Sequence, residues 1–167
     1  MYNFWSIVRI CGLFIMTYND LKRKDLQYMQ MCYSAATIFS TCGKKKYAAI
    51  LVDGYGHIVG FGYNGGPSNS EHCEDGGCPR FKEMSPSGSN YDNCIAIHAE
   101  ANALLHSDYS ARPTKIYVNG PPCLNCAKLI ANSTIEHVYY VSDNDYVNWE
   151  DVEMFLNKAG VHTHKVK

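Results

Sequence analysis

His98-Ala99-Glu100 and, further along, Pro122-Cys123-Leu124-Asn125-Cys126 decide how this chain reads. Together they spell H-x-E followed by P-C-x-x-C. One imidazole and two thiolates are three good Zn²⁺ ligands, and a catalytic zinc site combines three protein ligands with an open fourth position. With two thiolates and a neutral His98 the formal charge of such a centre is close to zero. A water in the open position still becomes far more acidic than bulk water, with a pKa near ~7 in the best-studied sites. Glu100 lies two residues past the histidine and is not needed as a ligand, which leaves it available to move protons.

The surroundings of the two stretches agree with this. His98 opens the Ala/Leu-rich segment HAEANALLH (98–106), and Cys123 opens CLNCAKLIA (123–131) directly after Pro121-Pro122. Proline suits the first turn of a helix, and a helix N-terminus favours negative charge, so two helix starts aimed at one metal would favour thiolates. Taken singly, each piece has a blander explanation. A lone histidine is commonly structural, and a lone C-x-x-C reads as a redox pair or as half of a structural zinc site. The combination favours a catalytic centre.

Working outward, 167 residues fit a single domain, and 46% hydrophobic with 19% charged residues is ordinary for a globular chain. A net charge of −1 gives no bulk electrostatic case for binding a nucleic-acid polymer. The nearest basic feature, Lys44-Lys45-Lys46, reads first as a solvated turn. Eight cysteines, at 11, 32, 42, 73, 78, 94, 123 and 126, would suggest disulfides in a secreted chain. The apolar stretch Met1–Met16 has no basic start before its apolar run and is too short to span a bilayer. The expectation is therefore a cytoplasmic, reduced chain with no membrane partner, whose clustered cysteines serve metal. Residues 1–19 read as an extension and 20–167 as the domain.

Leu26, Met29, Tyr33 and Ala36 recur at helical spacing and predict a first helix over about 20–40, stopped at Gly43. Tyr47–Val52 and Ile58–Tyr63 are apolar runs joined by Asp53-Gly54-Tyr55-Gly56, which predicts a hairpin. A long Gly/Ser/Pro/Asn-rich stretch, 64–93, follows; a loop of that length needs a reason, such as function or a metal clip. Then come the His98 helix, a strand at 115–120, the Cys123 helix and a strand at 137–142. A helix marked by Trp149, Val152, Phe155 and Leu156 ends at Gly160, and a short strand lies at VHTH (161–164). Strands alternating with helices after a hairpin imply an α/β layered sandwich with a mixed sheet.

GYNGGP (62–67), HCEDGGC (72–78), CIAIHAEANAL (94–104) and PPCLNCAKLI (121–130) resemble the deoxycytidylate deaminases of the cytidine deaminase superfamily. The H-x-E and P-C-x-x-C pair identifies only the superfamily; GYNG-x-P with the following His-Cys and Gly-Cys points to the deoxycytidylate branch. The resemblance implies a three-layer α/β/α sandwich with a mixed central sheet, and zinc-dependent hydrolytic conversion of dCMP to dUMP. Carried across, His98, Cys123 and Cys126 bind the catalytic zinc and Glu100 is the acid/base. The Ala99 backbone N–H meets the pyrimidine carbonyl and Asn64 meets the sugar, although Asn before Gly is also a common turn residue. Cys42, Cys73, Cys78 and Cys94 correspond to a second, structural zinc in some relatives, with His72 as a substitute for one thiol. Reduced core cysteines are the competing explanation for those four. The family also implies dCTP and dTTP as regulators and a hexameric homo-oligomer.

The chain departs from many relatives in lacking an arginine beside the catalytic histidine, where Ala96 stands, or on the helix that follows it. The family's arginine positions are thus not available for phosphate recognition and nucleotide regulation, and Arg80, Arg112 and the lysine run are the unranked candidates. Two alternatives remain open: a deaminase for another cytosine nucleotide or nucleoside, 5-substituted dCMP included, and a non-catalytic zinc-stabilised interaction domain. Glu100 argues against the latter, because a purely structural site has no use for a proton shuttle.

Overall fold

A computed structural model of the chain describes residues 23–86, 89–141 and 148–166. The expected extension over 1–19 lies outside the described residues. In chain order the elements are α1 (Arg23–Phe39), β1 (Ala48–Val52), β2 (Ile58–Tyr63), the one-turn α2 (Pro79–Lys82), α3 (Ala99–Leu105), β3 (Lys115–Val118), α4 (Leu124–Ala131), β4 (His137–Val141), α5 (Trp149–Lys158) and β5 (His162–Val166).

The five strands form one sheet in the order β2-β1-β3-β4-β5. β1 pairs antiparallel with β2 and with β3, while β3, β4 and β5 run parallel. A short turn joins β1 to β2, where Asp53 Oδ1 accepts the Tyr55 and His57 amides. The parallel connections pass through α4 and α5, as such crossovers require. Side chains alternate along a strand, so each face of the sheet collects its own core. Ala49, Leu51, Ile116, Val118 and Val138 pack against α3, α4 and α5. Ile50, Val52, Tyr117, Tyr139 and Val141 pack against Met29 and Cys32 of α1. This is the expected α/β/α sandwich with a mixed sheet.

Close approach of α3 to the sheet is set by small residues. A Cβ on Gly62 of β2 would collide with the Ala103 amide nitrogen and the Ala99 carbonyl oxygen of α3. Glycine at 62 and alanines at 99 and 103 therefore let the start of α3, with His98 before it, sit directly on the strand layer.

Two features differ from the sequence expectation. The first helix ends at Phe39, and Gly43 does not terminate it. Gly43 instead lies against the Phe81 ring, where a Cβ would not fit, and its amide donates to the Cys73 sulfur. On α1 itself the buried set includes Asp25, which the apolar pattern omits. Asp25 accepts a hydrogen bond from the Tyr117 hydroxyl, 92 residues away in sequence.

Candidate active site

His98 and Cys123 occupy equivalent positions: each is the residue just before a helix, in extended conformation, with its side chain making no capping bond to that helix. Both side chains are thereby released toward the gap between the α3 and α4 N-termini. Cys126, one turn into α4, joins them. His98 Nδ1 lies 3.4 Å from Cys123 Sγ and 3.4 Å from Cys126 Sγ. Zn–S bonds of about 2.3 Å and Zn–N bonds of about 2.0–2.1 Å at tetrahedral angles put N and S about 3.5 Å apart. Both imidazole–sulfur distances therefore match what a shared Zn²⁺ would impose. Among the described residues the three donors are the one group of three or more such donors whose ligand atoms all lie within 4.8 Å of one another.

The electrostatics of the trio follow from crowding. Cys123 is held well below the usual thiol range, first by the hydrogen bond from Cys126 and then by His98. Cys126 is pushed up by its bond to Cys123 and by burial, so the pair shares one negative charge. His98 is raised by its hydrogen bond to Cys123. A cation in their midst would replace these protons.

Glu100, in the first turn of α3, is only 5% exposed. Burial pushes its carboxyl above the usual range, against the pull of its own backbone amide, the His98 charge and the Cys126 thiol. It faces the same cavity as His98, Ala99 and Cys123, a space of about 330 Å³. The cavity also takes in Asn64, Lys44, Lys45 and Arg80. Arg112 is exposed and lies elsewhere, at the end of a short turn. Of the unranked basic candidates, then, Arg80 and two of the three lysines reach the site.

Asn64 is buried and heavily committed. Its Oδ1 accepts from Ser40 Oγ at 2.5 Å and the Tyr47 amide at 2.8 Å, and its Nδ2 donates to the Lys45 carbonyl at 2.7 Å. It ties the end of α1, the lysine run and β1 together at the cavity wall, with one amide N–H remaining. Nothing local in GYNG shows this, because the partners lie in a segment far upstream.

The second cysteine set is assembled by the long loop. Cys73 and Cys78 share a side-chain hydrogen bond, as do Cys78 and Cys94, and Cys42 lies close enough to act on Cys73 and Cys94. Backbone amides of Gly43, Phe81, Ile95 and Ala96 donate to these sulfurs. Cys42, Cys73 and Cys78 are buried, and burial raises the Cys73 and Cys94 thiols. The set is looser than the first, since no three of these sulfurs meet the 4.8 Å spacing of the His98 group. His72 is exposed and caps the turn at 73–77 with its backbone.

A compact His/Cys/Cys trio at two helix starts, beside a buried glutamate on a mixed sheet, defines a metal-assisted deaminase fold. The model of the cytidine and deoxycytidylate deaminase zinc-binding region matches residues 22–142. Deoxycytidylate deaminase of Mycobacterium phage D29 is 36% identical over 124 residues, covering 71% of this chain and 94% of that protein. Deoxycytidylate deaminase of Schizosaccharomyces pombe is also 36% identical, over 118 residues, but the match spans 36% of its length against 70% of this chain. Among solved structures, dCMP deaminase of cyanophage S-TIM5, in complex with dCMP and dUMP, superposes with a TM-score of 0.65 at 26% identity. That match covers 87% of this chain and 99% of the other. The chain belongs to the cytidine and deoxycytidylate deaminase family.

Proposed function

We propose that this chain catalyses the hydrolytic deamination of dCMP to dUMP and ammonia. The observation that carries the reading is the His98, Cys123 and Cys126 trio with buried Glu100 beside it in one cavity. The named relatives and the S-TIM5 structure, which holds dCMP and dUMP, support the choice of nucleotide. His98, Cys123 and Cys126 would hold Zn²⁺, which supplies a polarised water as nucleophile at the pyrimidine. Glu100 would accept one proton from that water and deliver it to N3 as oxygen bonds to C4. It would then carry the second proton to the 4-amino nitrogen as the C4–N4 bond breaks and ammonia leaves. A carboxyl raised by burial holds a proton long enough to deliver it near neutral pH. The Ala99 amide, in the first turn of α3 where the helix provides no acceptor, would donate to the pyrimidine carbonyl. Asn64 would offer its remaining N–H to the sugar.

A second, structural Zn²⁺ on Cys42, Cys73, Cys78 and Cys94 belongs to the same reading. Its support is the four converging thiols and the backbone amides that already donate to Cys73, Cys78 and Cys94, offsetting part of the burial that raises Cys73 and Cys94. Loading would draw the sulfurs closer together. His72 would be a ligand only if its exposed ring turned inward. By resemblance, a hexameric homo-oligomer, regulation by dCTP and dTTP and a cytoplasmic location accompany this function. No helix among the described residues is long and apolar enough to cross a membrane.

The test is a panel of dCMP, CMP, dCTP, deoxycytidine and 5-methyl-dCMP, followed by the absorbance change on deamination. The expected result is the highest kcat/KM for dCMP. Equal efficiency on deoxycytidine would make the chain a nucleoside deaminase, and preference for 5-methyl-dCMP would reassign the base.

A further inference from the structure

We propose that Arg80 is the anion anchor of the cavity, the residue that selects a 5′-phosphorylated substrate over a free nucleoside. The inference rests on the deaminase reading for its substrate and on Arg80's own surroundings for its site.

Arg80 lies in α2, two residues past Cys78, and is only 6% exposed. Nε donates to the Ser89 carbonyl at 2.7 Å and Nη2 to the Pro86 carbonyl at 3.4 Å. The guanidinium carbon sits 4.4 Å over the centre of the Tyr91 ring. No carboxylate pairs with it among the described residues; the two ion pairs found there join Lys46 to Glu74 and His57 to Asp53. No hydrogen bond joins it to the four loop thiols either. A guanidinium carries a full positive charge and five N–H donors in a planar fork. Two carbonyls and a ring face use part of that fork and neutralise none of the charge. Burying an uncompensated charge is expensive, so such groups are normally paired.

A bracing role alone does not account for this. Holding two carbonyls needs a neutral donor, and glutamine would serve. What distinguishes Arg80 is that its charge lines the cavity that also holds His98 and Glu100. Lys44 lines it as well, half-buried and donating to the Ser85 carbonyl. Arg80 and Lys44 thus hold the carbonyls of Ser85, Pro86 and Ser89 while presenting positive charge to one space. A phosphate monoester is the anion that suits a planar fork, which it meets with two parallel N–H···O bonds. The positions around the catalytic histidine hold no arginine, so the counter-charge has to come from elsewhere in the fold, and Arg80 is the buried candidate.

The test compares wild type with Arg80→Gln and Arg80→Lys, using kcat/KM for dCMP and for deoxycytidine. In parallel, inorganic phosphate is titrated against thermal unfolding, a readout independent of turnover. The expected result for Arg80→Gln is a fall of roughly 10²-fold on dCMP. Deoxycytidine efficiency should hold within about twofold, so that the ratio between the substrates collapses. Arg80→Lys keeps the charge and loses the fork, and should fall between. Stabilisation by phosphate should be present in wild type and lost in Arg80→Gln. A parallel loss on both substrates, or unchanged selectivity, overturns the proposal and leaves Arg80 as a loop brace. If Arg80→Gln does not fold, Arg80→Lys decides: unchanged selectivity and unchanged phosphate stabilisation overturn the proposal. If wild type turns over no dCMP, the function fails separately. The anchor then stands or falls on whether phosphate stabilisation depends on residue 80.

Discussion

The chain builds two clusters of soft ligands in two different ways. The His98, Cys123 and Cys126 cluster hangs from the first residues of two helices that are packed on the sheet. Its geometry is set by the core, and its donors already stand 3.4 Å apart where His98 meets each sulfur. The Cys42, Cys73, Cys78 and Cys94 cluster hangs from a loop whose own elements are one turn long. Its sulfurs are gathered by backbone amides and stand further apart than the first set. The same donor chemistry is preorganised by the core in one place and, on the proposal of a second zinc, completed by the bound ion in the other. A rigid scaffold suits a reacting centre, whereas a loop with few apolar residues needs a staple.

The sharpest way to break the contrast is at Glu100. Glu100→Gln should keep the fold and the metal at the first centre while losing about 10²–10⁴ in kcat. Metal analysis and turnover on the same sample check both halves. Near wild-type turnover in a folded variant would remove the acid/base role. Next in size is the loop. Replacing Cys73 and Cys78 together with Ser should release one of two metals, lower the unfolding midpoint by at least ~5 °C and open 64–93 to protease, with the first metal retained. A wild-type content of one zinc per chain, with Cys73 and Cys78 freely titratable, would show that packing alone holds the loop.

The difference between the regions also marks what could be read from residues alone. The first centre is local: an H-x-E and a P-C-x-x-C, each at a helix start, and two helix starts on one sheet face meet by topology. The strands and their order of types follow from apolar runs for the same reason. What escaped depends on distant pairing. Asp25 looks like a surface acid on α1 until Tyr117 of β3 supplies its partner from the sheet face that α1 covers. Gly43 reads as a helix stop, but its smallness serves Phe81 and its amide serves Cys73. Arg80 was one cation among several until the loop fold buried it without an acid.

Gly62 tests whether the first centre is rigid because α3 sits so close to β2. Gly62→Ala forces a methyl into the backbone of α3 at Ala99 and Ala103. Overpacking of this kind costs about 1–3 kcal/mol, and a chain of this size loses about 2–4 °C of midpoint per kcal/mol. Because His98 precedes that turn, zinc affinity should weaken along with stability. The corresponding loss should be absent for Gly54→Ala, where nothing lies within contact of the added carbon. Equal effects of the two substitutions would mean that the sheet does not set the site.

The smallest effect belongs to a third region, remote from both clusters, and separates global stability from metal content. His137 of β4 and His164 of β5 place Nδ1 and Nε2 3.1 Å apart, and His162 stacks on His137. Burial lowers both His137 and His164; the His162 charge lowers both further and the His137 charge lowers His164; Lys115 acts in the same direction, while Asp25 opposes it at both rings and Glu136 at His137. Tyr139 stacks on His164 from the same face. With folded-state values below the unfolded value, the unfolded chain binds more protons as pH falls through that interval. Stability from this pair is therefore fully present above about pH 6.5, the ordinary histidine value, and declines as acid titrates the folded rings. The unfolding midpoint should fall between pH 7 and pH 5, and His164→Gln should flatten that slope. Measured on protein with its metal content assayed at each pH, the slope should survive in the Cys73/Cys78 double variant. Disappearance of the slope there would tie it to the loop thiols instead of to β5.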